Sequence, residues 1–139
     1  MAEPRVFIDS SVLLAAFAGD AQAQRVVLAA ARGRIRAVVS DWVAEEVTRA
    51  LARRAPAIAP TVSLVLDALQ ADEVIVPTDE EAADYIGGEP IDGPMIAAAE
   101  EGDARYLVTC DPALLDRRQA IAKRHVQALT PAEAAARWR

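Results

Sequence analysis

The chain has 139 residues, 53% of them hydrophobic, so one domain with a single core is expected over residues 1–139. Its net charge of −6 argues against a general polyanion binder, and its single cysteine excludes an internal disulfide or a zinc knuckle. No uncharged apolar run approaches the ~20 residues a membrane helix needs, so a cytoplasmic chain with no membrane partner is expected.

Val6-Phe7-Ile8 reads as the heart of a short buried strand, residues 5–8, which ends on Asp9. A helix over residues 11–17 follows, with Ser10 or Ser11 as its cap, and Gly19-Asp20 interrupts the chain before a second helix over residues 21–31. Gly33 leads into a strand over residues 35–39, and Ser40 or Asp41 caps a helix running to about Arg54. Pro56 and Pro60 punctuate the next connection. A helix over residues 61–69 and a strand over residues 73–76 come next. The T-x-x-E spacing of Thr78 and Glu81 then opens a helix that ends at Gly87-Gly88. Residues 92–100 predict a helix, 106–109 a strand and 126–129 a last strand. Thr130-Pro131-Ala132-Glu133 makes a second capping box with proline at the first helical position. Strands alternating with helices, each strand apolar on almost every residue, predict a parallel sheet covered on both faces.

Four carboxylates stand where the apolar pattern would otherwise continue. Asp9 and Asp111 both fall at the carboxyl ends of buried strands, where open α/β sheets gather their ligands. In the helix after Ser40, Trp42, Val43, Val47, Ala50 and Leu51 form one apolar arc; Glu46 lies within it, whereas Glu45 points away. Asp92 shares a helix face with Met95, Ile96 and Ala99. Acids meeting at one sheet edge repel one another unless a cation sits between them, and hard oxygen ligands select magnesium or manganese. Such a cluster serves phosphodiester hydrolysis, in which the ion activates a water, orients the phosphate and stabilises the leaving oxyanion.

Each acid alone also has a plainer reading. Asp111 before Pro112 and Asp92 before Gly93-Pro94 suit helix caps, and Asp9 suits a strand-to-helix turn. Glu46 suits pairing with Arg49 or Arg53, two residues that could instead grip substrate phosphates. The arginines are grouped, with Arg32, Arg34 and Arg36 in one run, so an acidic total can hide a basic rim.

The runs Val6-Phe7-Ile8-Asp9-Ser10-Ser11-Val12-Leu13, Glu46-Val47-Thr48-Arg49-Ala50-Leu51, Asp92-Gly93-Pro94-Met95-Ile96-Ala97-Ala98-Ala99 and Tyr106-Leu107-Val108-Thr109-Cys110-Asp111 resemble, in order and spacing, the motifs of the PIN domain. The resemblance spans nearly the whole chain. It implies a three-layer α/β/α sandwich with a central, mostly parallel sheet, and a metal-dependent endoribonuclease. It implies further that Asp9, Glu46, Asp92 and Asp111 form the catalytic pocket that binds Mg²⁺ or Mn²⁺. Ser11 then supports the first acid and Thr109 flanks the last; with Arg49 and Arg53 they are the candidates for substrate contact. A small stand-alone chain of this kind looks most like the toxin of a VapBC-type toxin–antitoxin pair, commonly a homodimer inhibited by its antitoxin. Cys110, where the family often has glycine, and the pair Gly93-Pro94 depart from the pattern and bear on the shape of the pocket.

Two other functions fit parts of the chain. The negative charge and Cys110 suit a catalytically silent PIN-like module that binds a protein partner. A phosphoryl-transfer domain using Asp9 would want a second Asp two residues on, and that position is Ser11. Cys110, Trp42 and Trp138 read as buried, Asp116 as solvent-facing, and His125 as far in sequence from each of the four acids.

Overall fold

Five strands form one parallel sheet in the computed structural model, which describes residues 3–69, 72–74 and 93–139. They are β1 (Arg5–Ile8), β2 (Arg36–Ser40), β3 (Asp72–Val74), β4 (Tyr106–Val108) and β5 (Gln127–Leu129). Their order is β3-β2-β1-β4-β5, and all four pairings are parallel. Phe7 stands opposite both Val38 and Leu107, and Val108 opposite Leu129. Consecutive residues Val6, Phe7 and Ile8 are all fully buried, as are Leu107 and Val108. In a strand, successive side chains point to opposite faces, so burial without alternation means that helices cover both faces.

The helices are α1 (Ser10–Phe17), α2 (Ala21–Ala31), α3 (Asp41–Arg54), α4 (Thr61–Leu69), α5 (Gly93–Glu101), α6 (Pro112–Leu115), α7 (Arg118–Ala122) and α8 (Pro131–Arg137). From β1 the chain steps outward to β2 and β3, then returns to β4 on the other side of β1. With right-handed crossovers, that reversal puts α1 to α4 on one face of the sheet and α5 to α7 on the other. The packing of α1 on α2 and α3, and of α2 on α4 and α8, builds the first layer. The expected three-layer α/β/α architecture is the one observed. Among the described residues no helix is long and apolar enough to cross a membrane.

Caps set the ends of these elements. Ser40 Oγ accepts the Val43 N–H at 2.9 Å, Asp20 Oδ1 accepts that of Ala23 at 2.8 Å, and Thr130 and Glu133 form a reciprocal capping box. At the carboxyl ends of α1 and α2, Gly19 (φ 99°) and Gly33 (φ 74°) take the left-handed conformation of the Schellman turn. Asp103 does the same after α5 at φ 54°, without the freedom of a glycine.

Several expectations need correction. Helix α1 starts at Ser10 with Asp9 at the cap position, one residue before the predicted start, and among the described residues strand limits shift by one residue as ladders end where pairing stops. Helices α6 and α7 add to the predicted elements; four and five residues are too few to show a period. Trp42 is 38% exposed, because in the first turn of α3 it stands at the margin of the arc that Val43, Val47, Ala50 and Leu51 bury. Cys110 is exposed, since it lies beyond β4, where Thr109 turns inward and its neighbour outward. Trp138 is only half-buried, whereas Asp116 is exposed as expected. The capping box at Thr78, the helix after it, Gly87-Gly88 and Asp92 lie outside the described residues.

Candidate active site

Because β1 and β4 run side by side with Ile8 opposite Val108, the next residues, Asp9 and Thr109, also meet. The Asp9 N–H extends the ladder to the Val108 carbonyl at 3.1 Å. Here the strand order reverses on either side of β1, and such a switch point opens a crevice at the carboxyl ends of the strands.

Asp9 is 4% exposed and occupies the cap position of α1, yet its side chain makes no cap hydrogen bond. Its carboxylate is held by hydroxyls instead. Thr109 Oγ1 donates to Oδ2 at 2.7 Å, Ser11 Oγ donates to the same oxygen at 2.8 Å, and Ser10 Oγ lies 3.4 Å from Oδ1. Each of the two close hydroxyls also accepts a backbone N–H: Thr109 Oγ1 from Asp111 at 3.0 Å, and Ser11 Oγ from Cys110 at 3.0 Å. The start of α1 and the segment that follows β4 are thus stitched together through the first acid. Ser11, expected to support the first acid, does so, and Thr109, which with Ser11 was named a candidate for substrate contact, also directs its proton to Asp9.

Asp111 takes the role its proline neighbour suggested. Its Oδ1 accepts the Ala113 N–H at 3.0 Å and caps α6, with Pro112 in the first turn. Two acids that look alike in sequence therefore differ: one caps a helix, and the other is a buried anion that caps nothing. Glu46 is half-buried on α3 while Glu45 is exposed, as the helical period implied. It makes no ion pair among the described residues, and neither do Arg49 and Arg53, so the expected pairing is not formed. Arg49 faces a cavity of about 630 Å³ beside Glu45 and Thr48. Asp92 is outside the described residues. Among those described, no three His, Cys, Asp or Glu side chains are placed to hold a metal ion together.

The chemistry of Asp9 nevertheless suits a hard cation. A buried carboxylate is costly unless a positive charge or a full set of donors answers it, and Asp9 has neutral hydroxyls with no Lys, Arg or His partner among the described residues. Oxygen donors from Asp9 and Asp111 match magnesium or manganese better than softer metals. Beside them, partial burial raises the Cys110 thiol above its ordinary pKa; contact with Ser11 lowers it, and the charges of Asp20 and Asp9 raise it further. A thiol so shifted is a poor nucleophile. His125 is exposed and lines a separate cavity with Arg124 and Lys123.

A sequence profile described as PIN domain matches residues 5–113, a span that includes Asp9, Glu46, Asp92 and Asp111. Comparison with curated proteins finds no match. Among solved structures, the crystal structure of PAE2754 from Pyrobaculum aerophilum is similar, with a TM-score of 0.64 at 18% identity, over 97% of this chain and 89% of that one. At that identity the likeness concerns the fold.

Proposed function

Since the chain belongs to the PIN domain family, a nuclease-type fold, we propose that it is a Mg²⁺- or Mn²⁺-dependent endoribonuclease acting as the toxin of a toxin–antitoxin pair. In this reading it is a cytoplasmic homodimer inhibited by an antitoxin protein. The observation that carries the proposal is Asp9: a buried carboxylate at the switch point of the sheet, gripped by two hydroxyls, with no cation among its described partners.

Asp9 and Asp111, joined by Glu46 and Asp92, would hold the metal. When bound, the ion supplies Lewis-acid polarisation of the phosphate and a water acidic enough to attack near neutral pH. The chain's own residues set the stage for that attack. Ser11 and Thr109 fix the Asp9 carboxylate in one rotamer before substrate arrives, and Thr109 fixes the Asp111 backbone in the same contact. The Asp111 Oδ1 accepts the Ala113 N–H, which holds this carboxylate at the start of α6. A carboxylate of this set takes the proton of the attacking water.

The test is Asp9→Asn, with far-ultraviolet circular dichroism to confirm folding and single-stranded RNA with Mn²⁺ as the assay. Cleavage should fall at least about a hundredfold, since even outer partners of metal ligands are worth 10–100-fold. An undiminished rate would overturn the proposal. A natural chain that neither cuts RNA nor gains thermal stability from Mn²⁺ would leave the protein-binding module as the function.

A further inference from the structure

Arg25, Arg32, Arg34 and Arg139 line one cavity of about 510 Å³, whose wall includes Trp138 and Leu28 and whose remaining lining is largely alanine. It lies where α2 packs against α8, outside the residues assigned to cleavage. Helix α2 ends where the chain turns into β2, so Arg32 and Arg34 stand at the amino ends of the strands, and Asp9 and Asp111 stand at the carboxyl ends. A strand of four residues such as β1 separates those edges by about 13 Å.

The backbone that carries this cluster is fixed. Gly33, at φ 74°, lets its own N–H reach the Ala30 carbonyl at 3.0 Å and that of Arg34 reach Ala29 at 2.9 Å, which sets Arg32 and Arg34 on either side of a locked turn. Arg139 follows Trp138, whose ring meets Tyr106 edge-on at 5.0 Å. None of the four arginines makes an ion pair or a side-chain hydrogen bond among the described residues, whereas Arg118 and Arg124 have Glu133 and Glu100 at 2.8 Å. In a chain with 21 acidic and 15 basic side chains, Asp and Glu are plentiful, yet none is among the residues that line this hollow. Like charges around one cavity repel, and an anion relieves that repulsion.

We infer that this cavity is a docking site for single-stranded RNA, apart from the cleavage site, with guanidinium groups on its phosphates and Trp138 beside a base. The identity of the ligand rests on the nuclease reading. Guanidinium forks match phosphate oxygens bidentately, and an aromatic among basic side chains is the usual platform for an unpaired base. The volume lies in the 300–1,000 Å³ range of small-ligand sites, large enough for one nucleotide unit. An acidic helix from a protein would want deep apolar pockets for its anchors, and the alanine lining offers none.

The experiment is fluorescence anisotropy with a labelled oligoribonucleotide of about 12 nucleotides, within the span one single-strand site covers. The full chain carries Asp9→Asn so that nothing is cut. Adding Arg32→Gln and Arg34→Gln should weaken binding at least about tenfold and lower the slope of log K against log salt by about 1.4, or 0.7 for each phosphate no longer neutralised. Replacing both with Lys instead should keep the slope. In the chain with Asp9 intact, the Gln pair should raise KM for long RNA and leave kcat unchanged for a dinucleotide too short to span both sites. Equal affinity and equal salt slope in the Gln pair would overturn the inference, as would arginine-dependent binding of a poly-glutamate peptide with no binding of RNA. Arginine-dependent RNA binding by a chain that never cuts RNA would uphold the docking site and sink the nuclease reading instead.

Discussion

Replacing Thr109 by Val tests how the site is held. Thr109 is fully buried, and valine fills the same space, so no cavity opens and only the hydroxyl is removed. That hydroxyl donates to the Asp9 carboxylate at 2.7 Å, a charge-assisted bond whose loss costs about 1.5–3 kcal/mol. It also accepts the part-buried Asp111 N–H at 3.0 Å, an ordinary bond worth about 0.5–1.5 kcal/mol. Together these place the variant about 2–4.5 kcal/mol below the natural chain. With a urea slope of about 2 kcal/mol per molar, the unfolding midpoint should fall by about 1–2 M. Thr109→Ser keeps the hydroxyl and should lose only about 1 kcal/mol for its missing methyl. RNA cleavage should drop about 10–100-fold in the valine variant and recover in the serine one. In an Asp9→Asn background the valine penalty should shrink by about 1 kcal/mol, because the bond is no longer charge-assisted. A valine variant within about 0.5 kcal/mol of the natural chain, or a serine variant that loses more than the valine one, would refute the reasoning.

In chelator, Asp9→Asn should melt no lower than the natural chain, because it removes a buried anion that no described cation answers; calorimetry checks this. Adding Mn²⁺ at about 100 times its Kd should then stabilise the natural chain alone by about 2.7 kcal/mol, and equal gains in both would deny Asp9 a role in metal binding. Glu133, bonded by Arg118 and by the Thr130 N–H, has its pKa lowered to about 2 from 4.5, so its stabilisation is complete above pH 4.5 and is lost as pH falls through 2. With its side chain 44% exposed, solvent screening limits this to about 1 kcal/mol; Glu133→Gln should flatten that part of an acid-unfolding profile and weaken its salt sensitivity. At the helix ends, Asp103→Gly should raise stability by about 0.5–1 kcal/mol in urea titrations by relieving a left-handed φ of 54°. Gly33→Ala should lower it by about 1–2 kcal/mol through backbone strain alone, since nothing lies within 4 Å of the added Cβ; a larger loss would mean the turn itself had moved.

Much of what depends on neighbours within about four residues was readable from the chain alone. The unbroken apolar runs at Val6-Phe7-Ile8 and Leu107-Val108 announced a covered parallel sheet. Ser40 and the Thr130–Glu133 box announced helix starts, and the order of four acidic motifs announced the family. What only the folded chain decided depends on contacts across a hundred residues. Asp9 and Asp111 both sit between a strand and a helix; Pro112 marks Asp111 as a cap, but nothing local says that Asp9 forgoes one, and the register of Ile8 against Val108, which brings Thr109 to Asp9, makes that choice. Likewise Arg25, Arg32 and Arg34 gain Arg139 and Trp138 as neighbours only because α8 returns across α2. Local hydrogen bonds and periodicity are written in adjacent residues, whereas the partner of a buried charge is set by which strands pair, a property of the whole sheet.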